Sequence, residues 1–269
     1  AEPQAYNRSG AEATALPLLD CGPCGEVSVR HEDLHYDWNR HNPGAFTDLP
    51  RVEVHDEMAY LESNAFVADD GEPVVDVVFL CLGHGNSGTF LSEWKFSKGT
   101  RIIDLSNEFR LASGDSFADR KFIYGLPELD KKAIANAHNI ANPGCFATAI
   151  QLALLPLASN GLLTEPVHVN AVTGSTGAGA GLSETTHFSW RNNNLSWYKP
   201  FTHQHLGEVL QSLESLQQER PELLFLPLRG NFSRGIFATA YTRFDGSLEE
   251  AKALYASYYQ DARFTMLTD

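Results

Sequence analysis

Three residues stand out for the chemistry that their type and setting allow: Cys145, His203 and His205. Cys145 closes the tight run Asn142-Pro143-Gly144-Cys145, and Phe146, Ile150, Leu154 and Leu157 then recur at helical spacing to about Ala158. The cysteine therefore falls in the first turn of an apolar helix. Unsatisfied N–H groups and the positive end of the helix dipole favour a thiolate there, which is the nucleophilic form. The competing reading is a small buried hydrophobe. His203 and His205, in Thr202-His203-Gln204-His205, precede a helix whose apolar face is Leu206, Val209, Leu210, Leu213 and Leu216, so either can serve as a cap or a general base. Arg110 lies just past a strand end, where an arginine is a surface cation or a fork for a carboxylate or phosphate. Arg229 and Arg234 bracket a loop between two strands.

These residues need a scaffold, and the apolar patterning supplies one. Residues 74–82 form a near-continuous apolar run, the pattern of a strand buried on both faces. It ends in Gly83-His84-Gly85-Asn86-Ser87-Gly88, and a glycine-rich turn at the end of a central strand is where open α/β sheets bind ligands. A second buried strand spans residues 100–105, residues 122–129 read as a turn-bearing link, and Ile140-Ala141-Asn142 leads into the cysteine turn. Residues 167–172 alternate like a half-buried strand and enter the small-residue loop 173–181, whose N–H groups can converge on an anion or a flat ring. A flexible linker has the same composition. Residues 187–200 form an aromatic, amide-rich excursion, residues 223–228 and 235–242 read as strands, and Ser247-Leu248-Glu249-Glu250 is a capping box that opens a last helix.

With 269 residues, 43% hydrophobic and 20% charged, the chain is long enough for two globular domains. A formal charge of −14 provides no overall basic field for nucleic acid, and no apolar run is long enough for a membrane span. The opening residues lack the layout of a signal peptide, and four cysteines are too few for a disulfide scaffold, so a reducing, cytoplasmic setting is expected. Two other motifs fit their contexts poorly. Cys21-Gly22-Pro23-Cys24 has the spacing of a redox dithiol without a preceding strand and a following helix. His31-Glu32-Asp33-Leu34-His35 with His41 has zinc-peptidase spacing but no apolar stripe to bury such a helix, and Trp38 stands where that pattern has glycine, so no metal is expected.

From about Val74 to Asp269 the sequence resembles the N-acetyl-γ-glutamyl-phosphate reductases, relatives of aspartate-semialdehyde dehydrogenase. The likeness rests on residues 142–148 together with Asp104-Leu105-Ser106, Tyr124-Gly125-Leu126-Pro127-Glu128, the 173–179 loop, His203-Gln204-His205 and Arg234-Gly235. It implies an α/β chain: a partial Rossmann-like dinucleotide-binding domain over residues 1–141, ordered from about 74, and an α+β catalytic domain with a mixed sheet over 142–269. Cys145 would be the nucleophile and His203 or His205 the base. Arg110, Asn142, Ser175, Arg229 and Arg234 would hold an acyl-phosphate substrate. Gly83, His84, Gly85 and Ser87, with Gly174, Thr176, Gly177 and Gly179, would line the nicotinamide side of NADP. The resemblance further implies a homo-oligomer, dimer or tetramer, and a family whose chains continue past the position of Asp269. An aspartate-semialdehyde-dehydrogenase-like enzyme or an inactive fragment is the alternative. The glycines before Asp70 (Gly10, Gly22, Gly25 and Gly44) do not have the spacing of the family's pyrophosphate turn.

Overall fold

The computed structural model describes residues 75–179, 181 and 183–268, and the backbone of two short strands before them. Packing divides the chain into Ala1–Pro73 and Val74–Asp269. Within the first unit, β1 (Asp20–Cys21) pairs antiparallel with β2 (Val27–Ser28). Cys24 and the His31, Glu32, His35 and His41 pattern lie outside the described residues.

The second unit runs in order through β3 (Val77–Leu80), α1 (Ser87–Glu93), β4 (Arg101–Asp104), β5 (Ser116–Phe117), β6 (Arg120–Tyr124), α2 (Pro127–Ala135) and β7 (Asn139–Ala141). It continues with α3 (Cys145–Ala158), β8 (Val167–Thr173), α4 (Phe188–Arg191), β9 (Ser196–Trp197), α5 (His205–Gln217), β10 (Leu223–Arg229), β11 (Ile236–Tyr241) and α6 (Leu248–Tyr259). The first sheet has the order β3-β4-β7-β6-β5, parallel except for the β5–β6 hairpin. The second has the order β11-β8-β10-β9 and is mixed, with β8 and β10 parallel and both flanking strands antiparallel. The chain is thus α/β, with one sheet on each side of the cysteine turn in sequence.

Two expectations need correcting. The apolar run at 74–82 is not a strand buried on both faces: among the described residues β3 is an outer strand of its sheet, with Val77 and Phe79 exposed and Leu80 buried. The 122–129 link contains the end of a true strand, β6, whose Phe122 is buried and stacks 4.2 Å from Phe109. Arg120 and Lys121 mask it in the sequence.

The second sheet carries the main core. Val167, Val169 and Ala171 alternate inward from β8, as period-2 patterning requires, and meet Phe225 of β10. Across from them α3 contributes Phe146, Ile150 and Leu154, and α5 contributes Val209 and Leu213. Pro156 lies inside α3 and has no N–H, so the Leu152 carbonyl lacks its helical donor. Tyr259 of α6 supplies one, its hydroxyl donating to Leu152 O at 2.6 Å, and Tyr255 donates to the adjacent Ala153 carbonyl. The capping box fixes α6 itself: Ser247 Oγ accepts from Glu250 N–H at 3.2 Å and Glu250 Oε2 accepts from Ser247 N–H at 2.7 Å. Tyr259→Phe is expected to cost about 1–2 kcal/mol, because it leaves a half-buried carbonyl unpaired. A lowered urea midpoint with an unchanged slope would register it; an unchanged midpoint would refute it.

Candidate active site

The cysteine turn is fastened at both ends. β7 ends at Ala141, and Asn142 N–H donates to Asp104 O at 2.8 Å, tying the turn to the end of β4. Asn142 O accepts from Arg110 Nε at 2.8 Å. Gly144 then caps α3, its carbonyl accepting from Thr148 N–H at 2.9 Å and its N–H donating to Glu208 Oε2 at 2.9 Å. A Cβ at Gly144 would overlap the His205 ring, so glycine is required by contact and not by backbone conformation, since φ is −67°.

Glu208 is the hub. It lies on α5 one turn beyond His205, and its side chain is 4% exposed, as is that of Arg110. Its carboxylate accepts from Arg110 Nη1 at 3.1 Å, from the Tyr124 hydroxyl at 2.9 Å and from Gly144 N–H. Gln151 Nε2 of α3 donates to the same Tyr124 oxygen at 2.8 Å. Burial, then the Glu208 charge, pushes the Tyr124 hydroxyl well above its ordinary range, so it stays a donor. One carboxylate therefore joins the loop after β4, the end of β6, the cysteine turn and the histidine helix.

Both imidazoles are buried, and burial pushes each down from 6.5 to about 4. For His203 the His205 charge adds to this; for His205 the Arg110, His84 and Lys199 charges do. Both are neutral at pH 7. His203 Nδ1 accepts from His205 N–H at 3.2 Å, whereas His205 Nδ1 is buried with no protein partner. His205 Nε2 is 3.9 Å from Glu208 Oε1.

Cys145 keeps an exposed face at the start of α3. The expected thiolate is not what results. The protein around the sulfur desolvates it and raises the thiol above 9.0, although the N–H groups of Phe146 and Cys145 and the Arg110 charge pull the other way. The proton must therefore be taken by a base. Among the described residues no hydrogen bond joins the thiol to either imidazole; the His205 ring packs on Gly144, the residue before the cysteine.

Other expected residues fall as follows. Arg110 is buried, with Nε, Nη1 and Nη2 donating to Asn142 O, Glu208 and Leu105 O, so its fork is turned inward and not toward the cleft. Arg229 stacks 4.4 Å over the Tyr198 ring and donates to Thr185 Oγ1, and Tyr198 feels the Cys145 charge, which places the pair near the sulfur. Arg234 is exposed on its loop. Gly83 and Gly85, at φ 77° and 84°, form an exposed turn with His84, and the charge of His84 reaches His205. Ser87 is buried behind that turn. In the 174–179 loop the N–H groups of Gly174, Ser175 and Thr176 donate to the carbonyls of Gly235, Phe232 and Ser233, and those of Gly177 and Gly179 to the loop itself. They do not converge on an anion. Residue type and spacing do not mark Glu208, Tyr124, Gln151 and Tyr198 as site residues; the signal that the sequence does hold is the placement of Glu208 three residues after His205 in a helical pattern.

The two depressed histidines make stability pH-dependent. Below pH 6.5 the unfolded chain takes up protons that the folded chain refuses until about pH 4. Stability that is whole above pH 6.5 is therefore lost as pH falls toward 4. Urea midpoints measured at steps through this window should fall steadily, and His205→Gln should flatten the decline; parallel curves for both proteins would contradict it.

Comparison with known proteins identifies related chains. The semialdehyde dehydrogenase NAD binding domain matches residues 48–137, and the semialdehyde dehydrogenase dimerisation domain matches residues 145–269. N-acetyl-gamma-glutamyl-phosphate reductase of Christiangramia forsetii is 63% identical over 195 residues, which are 72% of this chain and 60% of that relative. The protein of the same name from Phocaeicola vulgatus is 50% identical over 263 residues, 97% of this chain and 77% of that relative. Aspartate semialdehyde dehydrogenase II from Vibrio cholerae, a solved structure, aligns with a TM-score of 0.49 at 17% identity, covering 67% of this chain and 59% of that one. The chain spans 60% of the length of the first of these relatives. On the identity it shares with the Phocaeicola protein along nearly its whole length, the chain belongs to the N-acetyl-γ-glutamyl-phosphate reductase family.

Proposed function

We propose that the chain carries out the reductive dephosphorylation of N-acetyl-γ-glutamyl phosphate to N-acetylglutamate semialdehyde, with NADPH as reductant and Cys145 as nucleophile. The observation that carries this reading is the convergence on Gly144: Glu208 holds its N–H, the His205 ring lies on its Cα, and the next residue is the cysteine. The Cys145 sulfur attacks the acyl carbon, the bond from that carbon to the phosphate oxygen breaks, and phosphate leaves behind a thioester. His205 takes the thiol proton at Nε2, the ring nitrogen packed against Gly144 beside the cysteine, while His203 Nδ1 is already bonded. An imidazole near 4 is a weak base at rest. A phosphate anion brought beside it favours imidazolium and strengthens it as the substrate arrives. Glu208, 3.9 Å from Nε2, steadies the resulting charge.

The turn with Gly83, His84, Gly85 and Ser87 suits a nicotinamide: its two left-handed glycines keep side chains away, and the charge of His84 reaches His205. Gly174, Thr176, Gly177 and Gly179 face the same ligand in this reading. A bound reduced nicotinamide supplies the hydride that the thioester accepts. His205 gives its proton to the former carbonyl oxygen; the carbon–sulfur bond of that adduct then breaks, the oxygen's proton passes back through His205 to the departing sulfur, and the semialdehyde leaves with the thiol restored. Arg229 and Arg234, with Ser175 and Asn142, hold the substrate's anionic groups, and Arg110 acts on it through the turn that it braces. We take the protein to be cytoplasmic and a homo-oligomer, dimer or tetramer, in line with the dimerisation-domain match over residues 145–269.

The test is run in reverse. The full chain, given N-acetylglutamate semialdehyde and NADP, should reduce NADP only when phosphate is present. Turnover that ignores phosphate, or that is faster with aspartate semialdehyde, would overturn the reading.

A further inference from the structure

Asp104, Ser106 and Glu108 take no part in the chemistry above, yet they form a continuous polar chain behind the Gly83–Asn86 turn. Asp104, buried at the end of β4, accepts from Ser87 Oγ at 2.6 Å and from Ser106 Oγ at 2.7 Å. Ser106 Oγ accepts from Glu108 N–H at 3.2 Å. The two Glu108 carboxylate oxygens then accept from Ser87 N–H at 2.7 Å and Gly88 N–H at 2.9 Å. Those are the first donors of α1, which its own N-cap leaves unserved, because Asn86 Nδ2 donates back to Leu82 O at 2.8 Å. A Cβ on Gly88 would come within 3.1 Å of Glu108 Oε2, so the carboxylate is seated against the helix with little slack.

We propose that Glu108 is a positioning residue for the cofactor turn. By clamping Ser87 and Gly88 it fixes where Gly83, His84 and Gly85 meet the nicotinamide end of a dinucleotide, which it does not itself touch. Such a turn needs an outside anchor, since glycines at positive φ have the most conformational freedom to lose and nothing lies within 4 Å of where a Gly85 side chain would sit. Two residues further on, Arg110 holds the Asn142 carbonyl. The single loop from Asp104 to Arg110 thus fastens both the turn above the nicotinamide and the turn that carries the sulfur. This inference rests on the reductase reading.

The test compares the full-length chain with Glu108→Gln and Glu108→Asp, measuring reduced-dinucleotide binding by its fluorescence and then steady-state kinetics. Glutamine keeps the shape but turns an amide NH2 toward the helix donors. It is expected to raise the Kd and KM for the dinucleotide about tenfold, with kcat and the acyl-phosphate KM within about twofold, and aspartate should recover part of the loss by restoring charge. An unchanged dinucleotide Kd in Glu108→Gln overturns the proposal. So does a fall in kcat matching the rise in KM with no recovery in Glu108→Asp, the pattern of general misfolding. A wild-type chain that binds no reduced dinucleotide sinks the reductase reading and this proposal together, whereas equal binding by wild type and variant sinks the proposal alone.

Discussion

Serine in place of Cys145 is expected to lower phosphate-dependent turnover on the order of a thousandfold or more, while moving stability by less than about 0.5 kcal/mol. The loss is large because the hydroxyl is both less acidic and a poorer nucleophile than sulfur. The Cys145 thiol is raised above 9.0 by its desolvated setting, so the resting site already relies on a base to remove one proton. A hydroxyl in its place asks far more of an imidazole that titrates near 4. The stability cost is small because the residue keeps an exposed face. Single-turnover rates set beside urea midpoints separate the two effects. Comparable rates for serine and cysteine would remove the thioester from the mechanism.

Glu208→Ala should be the most destabilising change in the site, at about 3–5 kcal/mol, because it strands a buried cation. Arg110 is buried and loses its only carboxylate partner among the described residues. Gly144 N–H and the Tyr124 hydroxyl lose their acceptor in the same step. The double variant Arg110→Met, Glu208→Leu removes the charges as a pair and is expected to regain much of that stability. It should stay inactive, since nothing then holds Gly144 or faces His205. Denaturant titration of the three proteins measures the coupling; a double variant no more stable than Glu208→Ala would show that the buried pair is not the source of the loss.

How much of this could be read from the chain depends on how local each signal is. The helices at 145–158 and 205–217 and the Ser247 capping box were legible, because their patterns repeat within a few residues. Strand β6 was not, since two of its five residues are cations and only Phe122 among them is buried. The exposure of Val77 and Phe79 in β3 was equally hidden, for an apolar run does not say which of its faces will be covered. Cys145, His203 and His205 were nominated by residue type. Glu208 carries no such mark, because its partners come from positions 64, 84 and 98 residues away, and sequence spacing holds no trace of that meeting. Arg110 was expected at the surface or in the cleft; the carbonyls of Leu105 and Asn142 and the Glu208 carboxylate give it an inward setting that no neighbouring residue announces.

The tyrosines that serve α3 have a bearing on how the molecule opens. Tyr255 and Tyr259 sit one turn apart on α6 and reach consecutive carbonyls, so any rotation or fraying of that last helix releases both at once. The helix that bears the nucleophile and the last helix among the described residues are in this way locked into one cooperative block. A disturbance confined to that helix is felt at the carbonyls of Leu152 and Ala153, two turns along α3 from the sulfur, with no ligand needed to carry it.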